Sequence, residues 1–428
     1  MASRSFPHPS AAPEMDARWL ILADDLTGAA DCAVAFRRRG NAAAVIWGEA
    51  VQDERIPILS YDADSRGLTA EAAAQRHAAL LGRLHSADRR LFKKIDSTMR
   101  GQPAAEIAAT LAQLRARSGQ AFGVLAPAFP GTGRTTLEGR VRVGGRPLEE
   151  AEVWRRDHSY ASADLGAILA SAGIRSTTLT LPIVRGGQLA GALAEAAAGP
   201  AEIAVCDAET DADLARIAEA GLAATASAVF IGSAGLAHAL AAAGPVAALA
   251  PVRIAPDRRG SLLVVGSLAE VSRAGARRLL ADGAVAHLPV APETLLEAVE
   301  GRPDLATPLA ERLAAGQDVL VEIMLGGEPD MSLGPRLAHA LADALAPIAG
   351  RIGALAATGG ETAAALLTRF HVHGIQLTDE IEPGVSLGLT LGQLAIPIAT
   401  KAGAFGDADS LVRIRDRLRH VRTEGSLT

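Results

Sequence analysis

Aromatic residues make up only 3% of this 428-residue chain. Its cores must therefore be filled with Ala, Leu, Val and Ile. Cysteine is scarcer still. Cys32 and Cys206 are too few for a disulfide framework or a cysteine-built zinc site. Each sits among small apolar residues and reads as a buried thiol. No basic excess exists: the net charge is −6, which argues against nucleic acid as a main partner, because phosphate neutralisation needs a basic face. No apolar run approaches the ~18 residues of a membrane span. Met1 to Asp16 lacks the continuous apolar core of a secretory leader, so the reduced cytoplasm is the expected compartment. A P-loop signature, a dinucleotide fingerprint after the first strand and a nucleophile elbow are all missing. The ten histidines show no zinc-protease spacing. His158, His339, His371 and His373 read as structural or surface residues, and no metal ligands are assigned.

What the chain does have is a repeated alternation of apolar strands and Ala-rich helices. That pattern predicts an α/β fold with two domains, each a mostly parallel sheet flanked by helices. The length also calls for more than one domain. The expected division is a disordered tail over 1–18, a first domain over 19–243, an Ala-, Pro- and Arg-rich linker over 244–259 and a second domain over 260–428. In the first domain, strands are expected at Trp19–Ala23, Ala42–Gly48, Ile56–Tyr61, from Leu91, Phe122–Ala126, Ser176–Leu181, Glu202–Cys206 and Ala228–Gly232. A helix closed by Gly40 runs to Arg39, and another spans Thr69 to about His85. Residues Arg140 to Leu148 read as a hairpin turning at Gly144-Gly145, and Trp154 to Tyr160 as irregular. The second domain repeats the pattern with strands at Ser261–Gly266, Ala284–Val290, Asp318–Met324 and Gly353–Ala357.

The densest chemistry lies in Leu91-Phe-Lys-Lys-Ile-Asp-Ser-Thr-Met-Arg-Gly101. An apolar strand ends there in Lys93, Lys94, Asp96, Ser97, Thr98 and Arg100, and Pro103 opens a helix. Side chains at such a strand-to-helix turn face whatever sits beyond the strand's carboxyl end. Cations, a carboxylate and hydroxyls together suit a small hydroxylated anion. Asp24-Asp25 ends the first strand, one of the two being a natural helix cap. Asp62, Asp64, Ser65 and Arg66 end the third. A Pro- and Gly-rich loop, Pro127 to Thr136, surrounds Arg134. In the second domain three polar turns stand out: Gly266-Ser267; Thr358, Gly359, Gly360, Glu361 and Thr362, before a helix from Ala363; and Lys401 to Asp407, with Gly403 and Gly406. Glycine after a strand lets backbone N–H groups approach phosphate. One domain of carboxylates, hydroxyls and cations and another of glycine turns suit phosphoryl transfer across an interdomain cleft.

Together, Ala23-Asp-Asp-Leu-Thr-Gly-Ala29, Lys93-Lys-Ile-Asp-Ser-Thr-Met-Arg-Gly101, Pro127-Ala-Phe-Pro-Gly-Thr-Gly-Arg-Thr-Thr136 and Lys401-Ala-Gly-Ala-Phe-Gly406 closely resemble the four-carbon acid sugar kinase family. The motifs lie in that family's order and cover almost the whole chain. The resemblance implies an acid-sugar-binding domain followed by a nucleotide-binding domain. It implies ATP-dependent phosphorylation of the 4-hydroxyl of threonate, erythronate or 3-oxo-tetronate, with D-threonate favoured. Mg²⁺ would accompany ATP, held mostly by phosphates and water. Implied substrate contacts come from Asp25, Arg66, Lys94, Ile95, Asp96 and Ser97, and neighbouring Asp24, Arg100 and Arg134 join the expected substrate site. Implied nucleotide contacts come from Ser267, from Thr358 to Thr362, and from Gly403 with Lys401 and Gly406. Ala269 stands where many members carry a second Ser, a departure in the first nucleotide turn. Either Asp25 or Asp96 would take the hydroxyl proton, and the residues alone do not choose. A homodimer is expected. The rival classes are a sugar-acid-binding protein without transfer, and a dinucleotide oxidoreductase, which the missing fingerprint disfavours.

Overall fold

The computed structural model describes residues 18–48, 56–156, 160–224, 228–246, 252–267, 269–297, 304–324, 333–403 and 405–427. The expected tail through residue 17, His158 and residues 247–251 of the expected linker lie outside these. The first half of the chain contributes β1 (Arg18–Ala23), β2 (Ala43–Ile46), β3 (Ile58–Asp62), β4 (Arg89–Lys94) and β5 (Gly123–Ala126). A small antiparallel sheet follows, made of β6 (Arg134–Leu137), β7 (Arg140–Val143) and β8 (Arg146–Pro147). Then come β9 (Ser176–Leu179), β10 (Ile203–Cys206) and β11 (Val229–Gly232). The second half contributes β12 (Ser261–Val265), β13 (Ala286–Val290), β14 (Val319–Ile323), β15 (Ala354–Thr358), β16 (Val372–Glu382), β17 (Val385–Gly392) and β18 (Pro397–Lys401).

Strands such as β1, with its run Trp-Leu-Ile-Leu-Ala, are apolar at successive positions because helices cover both faces of a parallel sheet. Helix α1 (Leu26–Arg37) is buried along nearly its whole surface. It packs on β2 and β3 and on the helix Ala234–Ala243, and also on β16 and the helix Gly360–Arg369 from the second half. Only small side chains allow that, which is why its sequence is Leu-Thr-Gly-Ala-Ala-Asp-Cys-Ala-Val-Ala-Phe-Arg. Helix α2 (Ala70–Leu84) is capped by the Thr69 side chain on Ala72 N. Helix α3 (Pro103–Ser118) starts on its proline and ends at left-handed Gly119.

The strand order is β13-β14-β12-β15-β18-β17-β16-β2-β3-β1-β4-β11-β5-β10-β9. The two expected sheets are therefore joined edge to edge, through antiparallel pairing of Gly374–Leu377 on β16 with Ala43–Ile46 on β2. In each half, two neighbouring parallel strands send their connections to opposite sides: β1 and β4 in the first, β12 and β15 in the second. Such reversals open a crevice at the strands' carboxyl ends. Six strand steps separate β1 from β15, and twist of roughly 20–25° per step swings the two crevices toward each other.

Several boundaries differ from expectation for local reasons. Helix α1 ends at Arg37, and residues 38–40 form a turn closed by Gly40 at φ 90°. The polar stretch from Trp154 begins inside a short helix, Glu152–Arg156. The strand expected to reach Leu181 stops at Leu179, where Pro182 starts the helix Leu181–Arg185. The helix after Gly359 begins at Gly360 rather than Ala363. The long β16–β17 hairpin, absent from the expected strands, carries polar residues on a half-exposed face. Part of the linker is pinned, with Ile254 N on Gly425 O at 3.0 Å and Asp257 N on Arg422 O at 2.8 Å. Among the described residues no helix is long and apolar enough to cross a membrane.

The β2–β16 seam depends on Gly374, where an added Cβ would lie 2.8 Å from Val45 O. Gly374→Val should destabilise the protein by about 1–3 kcal/mol. Calorimetry should then resolve two transitions where the native chain shows one; a single unshifted transition would mean the seam is not mechanically important.

Candidate active site

The turns after β1, β3 and β4 converge on one knot of charge. Lys94 Nζ donates to Asp24 Oδ1 at 3.0 Å and to Asp25 Oδ1 at 2.9 Å. Arg66 grips the same pair, with Nε on Asp24 Oδ2 at 2.7 Å and its two terminal nitrogens on Asp25 at 2.9 and 3.0 Å. It also approaches Asp96 Oδ1 at 3.8 Å. Arg100 closes on Asp96 through Nε and Nη2 at 3.0 and 2.7 Å. Thr98 donates its hydroxyl and its backbone N–H to that carboxylate at 2.5 and 3.1 Å. Asp25 caps α1, accepting from Gly28 N at 3.2 Å and from the Thr27 hydroxyl at 2.8 Å. A methyl group on Gly28 would fall 2.0 Å from Lys94 Nζ, so only glycine lets the ammonium in.

Three carboxylates thus meet three cations. Burial alone would raise the carboxyls, but Arg66 and Lys94 at Asp24 and Asp25, and Arg100 and Arg66 at Asp96, outweigh it and hold all three below the usual range. Burial likewise works against a charged Lys94, yet Asp24 and Asp25 push its pKa up. All six groups are therefore ionised at neutral pH.

Beneath this layer lies a second. Lys93 and Lys94 are neighbours on a strand and point to opposite faces. Lys93 is fully buried, 2.7 Å from Glu106 Oε2 of α3 and donating to Lys94 O at 2.8 Å. Glu106 accepts from the Ser65 hydroxyl at 2.6 Å, and that hydroxyl lies 3.0 Å from His77 Nε2. Burial and Lys93 push the His77 pKa down to about 2, so it is neutral. Ser65 N and Arg66 N both donate to Asp24 O, at 3.0 and 3.2 Å. The network therefore fixes the turn that presents Arg66. Asp62, buried at the end of β3, accepts from Asp64 N at 2.8 Å. Its burial, together with the nearby Asp25 and Asp64 carboxylates, raises its pKa to about 8.

The second half brings its three turns together. A Cβ on Gly403 would lie 2.3 Å from Ser267 Oγ, and one on Gly359 would lie 3.6 Å from Ser267 Cβ. Gly359 has φ 90°, a backbone state that glycine adopts without strain. Thr358 Oγ1 is buried without a hydrogen-bond partner. Lys401 Nζ is buried against Ser272 Oγ at 3.2 Å and the Ala402 carbonyl at 3.1 Å. Burial pushes its pKa down to about 8, with Glu382 opposing part of the fall.

The two groups of turns meet. A methyl on Gly360 would lie 3.6 Å from Asp25 Oδ2 and 3.5 Å from Thr27 Oγ1. Arg134 stacks over the Phe405 ring at 5.0 Å, and Phe129 approaches the same ring at 6.2 Å. Arg134 Nε is buried without a hydrogen-bond partner, and burial lowers its pKa.

Of the residues expected in the substrate site, Asp24, Asp25, Arg66, Lys94, Asp96 and Arg100 form one connected network. Ser97 is buried beside it, and Arg134 stands across from it at the domain seam. The Ile95 side chain lies in the hydrophobic core and its N–H donates to Gly232 O at 2.9 Å, which leaves its carbonyl as the group able to face a ligand. Lys93, grouped with the anion-facing cations in the sequence, instead belongs to the buried support. Ser267, Gly359, Gly360, Thr362 and Gly403 gather at the second crevice, with Glu361 exposed on the first turn of its helix. Gly406, at φ 83°, turns the chain beside Ser410 and Glu382. Thr27, Asp62, Glu106 and Phe405 were not singled out as site residues. Thr27 and Phe405 lay inside quoted motifs, whereas nothing in the sequence pointed to Asp62 as a protonated carboxyl or to Glu106 as a partner for Lys93.

Two family models match the chain, a sugar-binding N-terminal domain over residues 19–240 and a nucleotide-binding C-terminal domain over residues 262–411. The chain is similar to a D-threonate kinase of Cupriavidus necator, 40% identical and covering 92% of this chain and 96% of that one. It is also similar to a D-threonate kinase of Bordetella bronchiseptica, 35% identical over 94% of this chain and 98% of that one. A solved structure from Salmonella typhimurium LT2 shares the fold with a TM-score of 0.80 at 21% identity, covering 94% of this chain and 99% of that one.

The site's carboxyls pull stability in opposite directions with pH. Asp62 has a folded pKa raised from 3.8 to about 8. Its contribution is full below about pH 4 and is lost as pH rises through about 8. Asp24, Asp25 and Asp96 are depressed, so theirs is present above about pH 4 and lost below it. Asp62→Asn, which keeps the carbonyl that Asp64 N requires, should flatten the fall in melting temperature between pH 6 and pH 8.5, windows set by those shifts. An unchanged slope would show that Asp62 ionises freely in the folded protein.

Proposed function

Because the chain belongs to the four-carbon acid sugar kinase family, we propose that it transfers the γ-phosphoryl group of ATP to the 4-hydroxyl of a four-carbon sugar acid, with D-threonate giving 4-phospho-D-threonate. The observation that carries the reading is the approach of Gly360 to Asp25, which sets a phosphate-type glycine turn directly against the acid-binding charge network. The choice of D-threonate is supported by the two relatives named for it; D-erythronate and 3-oxo-tetronate are the alternatives.

In this reading Arg66 and Lys94 bind the substrate carboxylate, and Ser97 and Asp24 read its hydroxyls. The charge-assisted bonds account for an acid being required. Asp25 is the carboxylate that faces the glycine turn, so we assign it the 4-hydroxyl. Its depressed pKa makes it a weak base, which suits a transfer whose transition state is loose: the carboxylate orients the hydroxyl and accepts its proton late. Asp96, locked by Arg100 and Thr98, orients substrate. Among the described residues no carboxylate pairs Arg134 at hydrogen-bond distance, unlike the other site arginines, and Arg134 would meet the transferring phosphoryl. The turns at Ser267, Gly359-Gly360 and Gly403 would receive the nucleotide phosphates, with Thr358 Oγ1 as an open hydroxyl beside them. Mg²⁺, when bound, neutralises phosphate charge, and phosphates with water supply most of its ligands. Two buried thiols and ATP dependence fit the reduced cytoplasm, and a homodimer remains part of the reading.

An ADP-release assay over the threonates, erythronates and their 3-oxo forms should give turnover on D-threonate. Asp25→Asn should lower kcat by about 10²-fold or more, while Asp96→Asn should chiefly raise KM. Binding of ATP without turnover on any four-carbon acid would reject the substrate class.

Lys401 gives an independent check. With its pKa near 8, bound phosphates should recharge it, so ADP binding near pH 8 should take up a fraction of a proton, at most about one. Calorimetry in buffers of different ionisation enthalpy reads that uptake, which should vanish in Lys401→Met. Uptake that persists in the variant would remove Lys401 from nucleotide binding.

A further inference from the structure

A second cluster lies on the same domain seam, away from the charge network. Asp31 comes from α1, His238 from the helix Ala234–Ala243 and Glu380 from β16. One donor atom from each lies within 4.8 Å of the others. Asp31 follows Asp25 by six residues, about 9 Å along the helix, so the cluster is distinct from the candidate active site.

We propose that Asp31, His238 and Glu380 form a divalent transition-metal site that braces the two halves of the protein. The Asp31 side chain is nine-tenths buried, and its Oδ1 has no hydrogen-bond partner. His238 Nε2 is also buried without one. These two atoms face each other at 3.9 Å, too far for a hydrogen bond. The gap is close to the ~3.3–3.6 Å edge between ligands around a tetrahedral Zn²⁺ with bonds near 2.0–2.2 Å. Movements of about 1 Å would bring Glu380 to the same spacing. Arg38 holds Glu380 Oε2 at 2.6 Å, and Gly384 N holds Oε1 at 3.3 Å. A carboxylate oriented this way can still offer a lone pair to a cation, with Arg38 as an outer partner. Two carboxylates against one arginine leave the site one formal negative charge. Imidazole with carboxylates selects Zn²⁺, Co²⁺ or Mn²⁺ over Mg²⁺. Phe129 stacks on the His238 ring at 6.2 Å and so limits its rotation.

The test is a Co²⁺ titration of the tag-free full chain without nucleotide, followed by visible d–d absorption. One equivalent should develop a band that Zn²⁺ removes and that millimolar Mg²⁺ does not. Asp31→Asn and His238→Gln should each weaken binding by about tenfold or more, while retaining basal ATP turnover in Mg²⁺ alone. Zn²⁺ should raise the melting temperature of the native chain and not of His238→Gln. No band in the native protein, or a band that survives His238→Gln, would overturn the proposal. The latter result would leave the cluster as an ion pair of protonated His238.

Discussion

The Lys94 ammonium lies between the carboxylates of Asp24 and Asp25, and the rest of the site is arranged to make that position tenable. Two adjacent buried carboxylates repel each other and lose hydration, so one cation is not enough. Arg66 supplies the second, bridging the same two carboxylates. Each cation needs its own support. Arg66 is fixed by Ser65, Glu106 and Lys93 from below, and Lys94 fits only because Gly28 carries no side chain. Removing one member of such a buried set leaves its partner uncompensated, at a cost of about 3–5 kcal/mol. The network is therefore rigid and formally neutral before any substrate arrives. A substrate carboxylate would replace water and rearrange existing pairs, meeting dipoles that are already oriented.

Neutrality has a second consequence. The acid-binding half has its main charges matched internally, which leaves Arg134 and Lys401, among the described residues of the site, with capacity for added negative charge. Both stand at the seam between the halves. Arg134 lies on Phe405, from the same loop that follows Lys401. Burial lowers the pKa of both groups; the Arg134 guanidinium stays charged, and Lys401, near 8, is the group whose full charge an incoming polyphosphate would restore. The seam is continuous with the backbone: β2 and β16 share hydrogen bonds, and α1 carries Asp25 at its start and packs on β16 along its length. A movement that opens the crevice must bend the sheet at that pairing or slide α1, which limits how far the two glycine and carboxylate turns separate.

Much of this was legible in the chain. Apolar runs ending in Asp24-Asp25, in Arg66 and in Lys94-Ile95-Asp96 placed three polar turns at strand ends, and Gly359-Gly360 and Gly403 marked the opposing ones. Periodicity reads such elements because burial on two faces demands unbroken apolar stretches. It did not read β16 and β17. Their polar residues Thr378, Asp379, Glu380 and Ser386 interrupt the apolar pattern, and the first-half partner of β16, β2, lies more than 300 residues away.

What the sequence determined by itself was the set of chemical groups, their order and the strand ends that carry them. These depend on local pattern and on covalent spacing. Tertiary structure alone decided which of two adjacent lysines enters the site, which carboxyl keeps its proton and which glycine turn of the second half faces Asp25. Lys93 and Lys94 are equivalent as residue types, and Asp62 is an ordinary aspartate. Their different states come from the face each occupies and from the charges that distant segments bring within a few ångströms of it. Electrostatics in a buried site is a sum over spatial neighbours, and those neighbours are separated in the chain by tens to hundreds of residues.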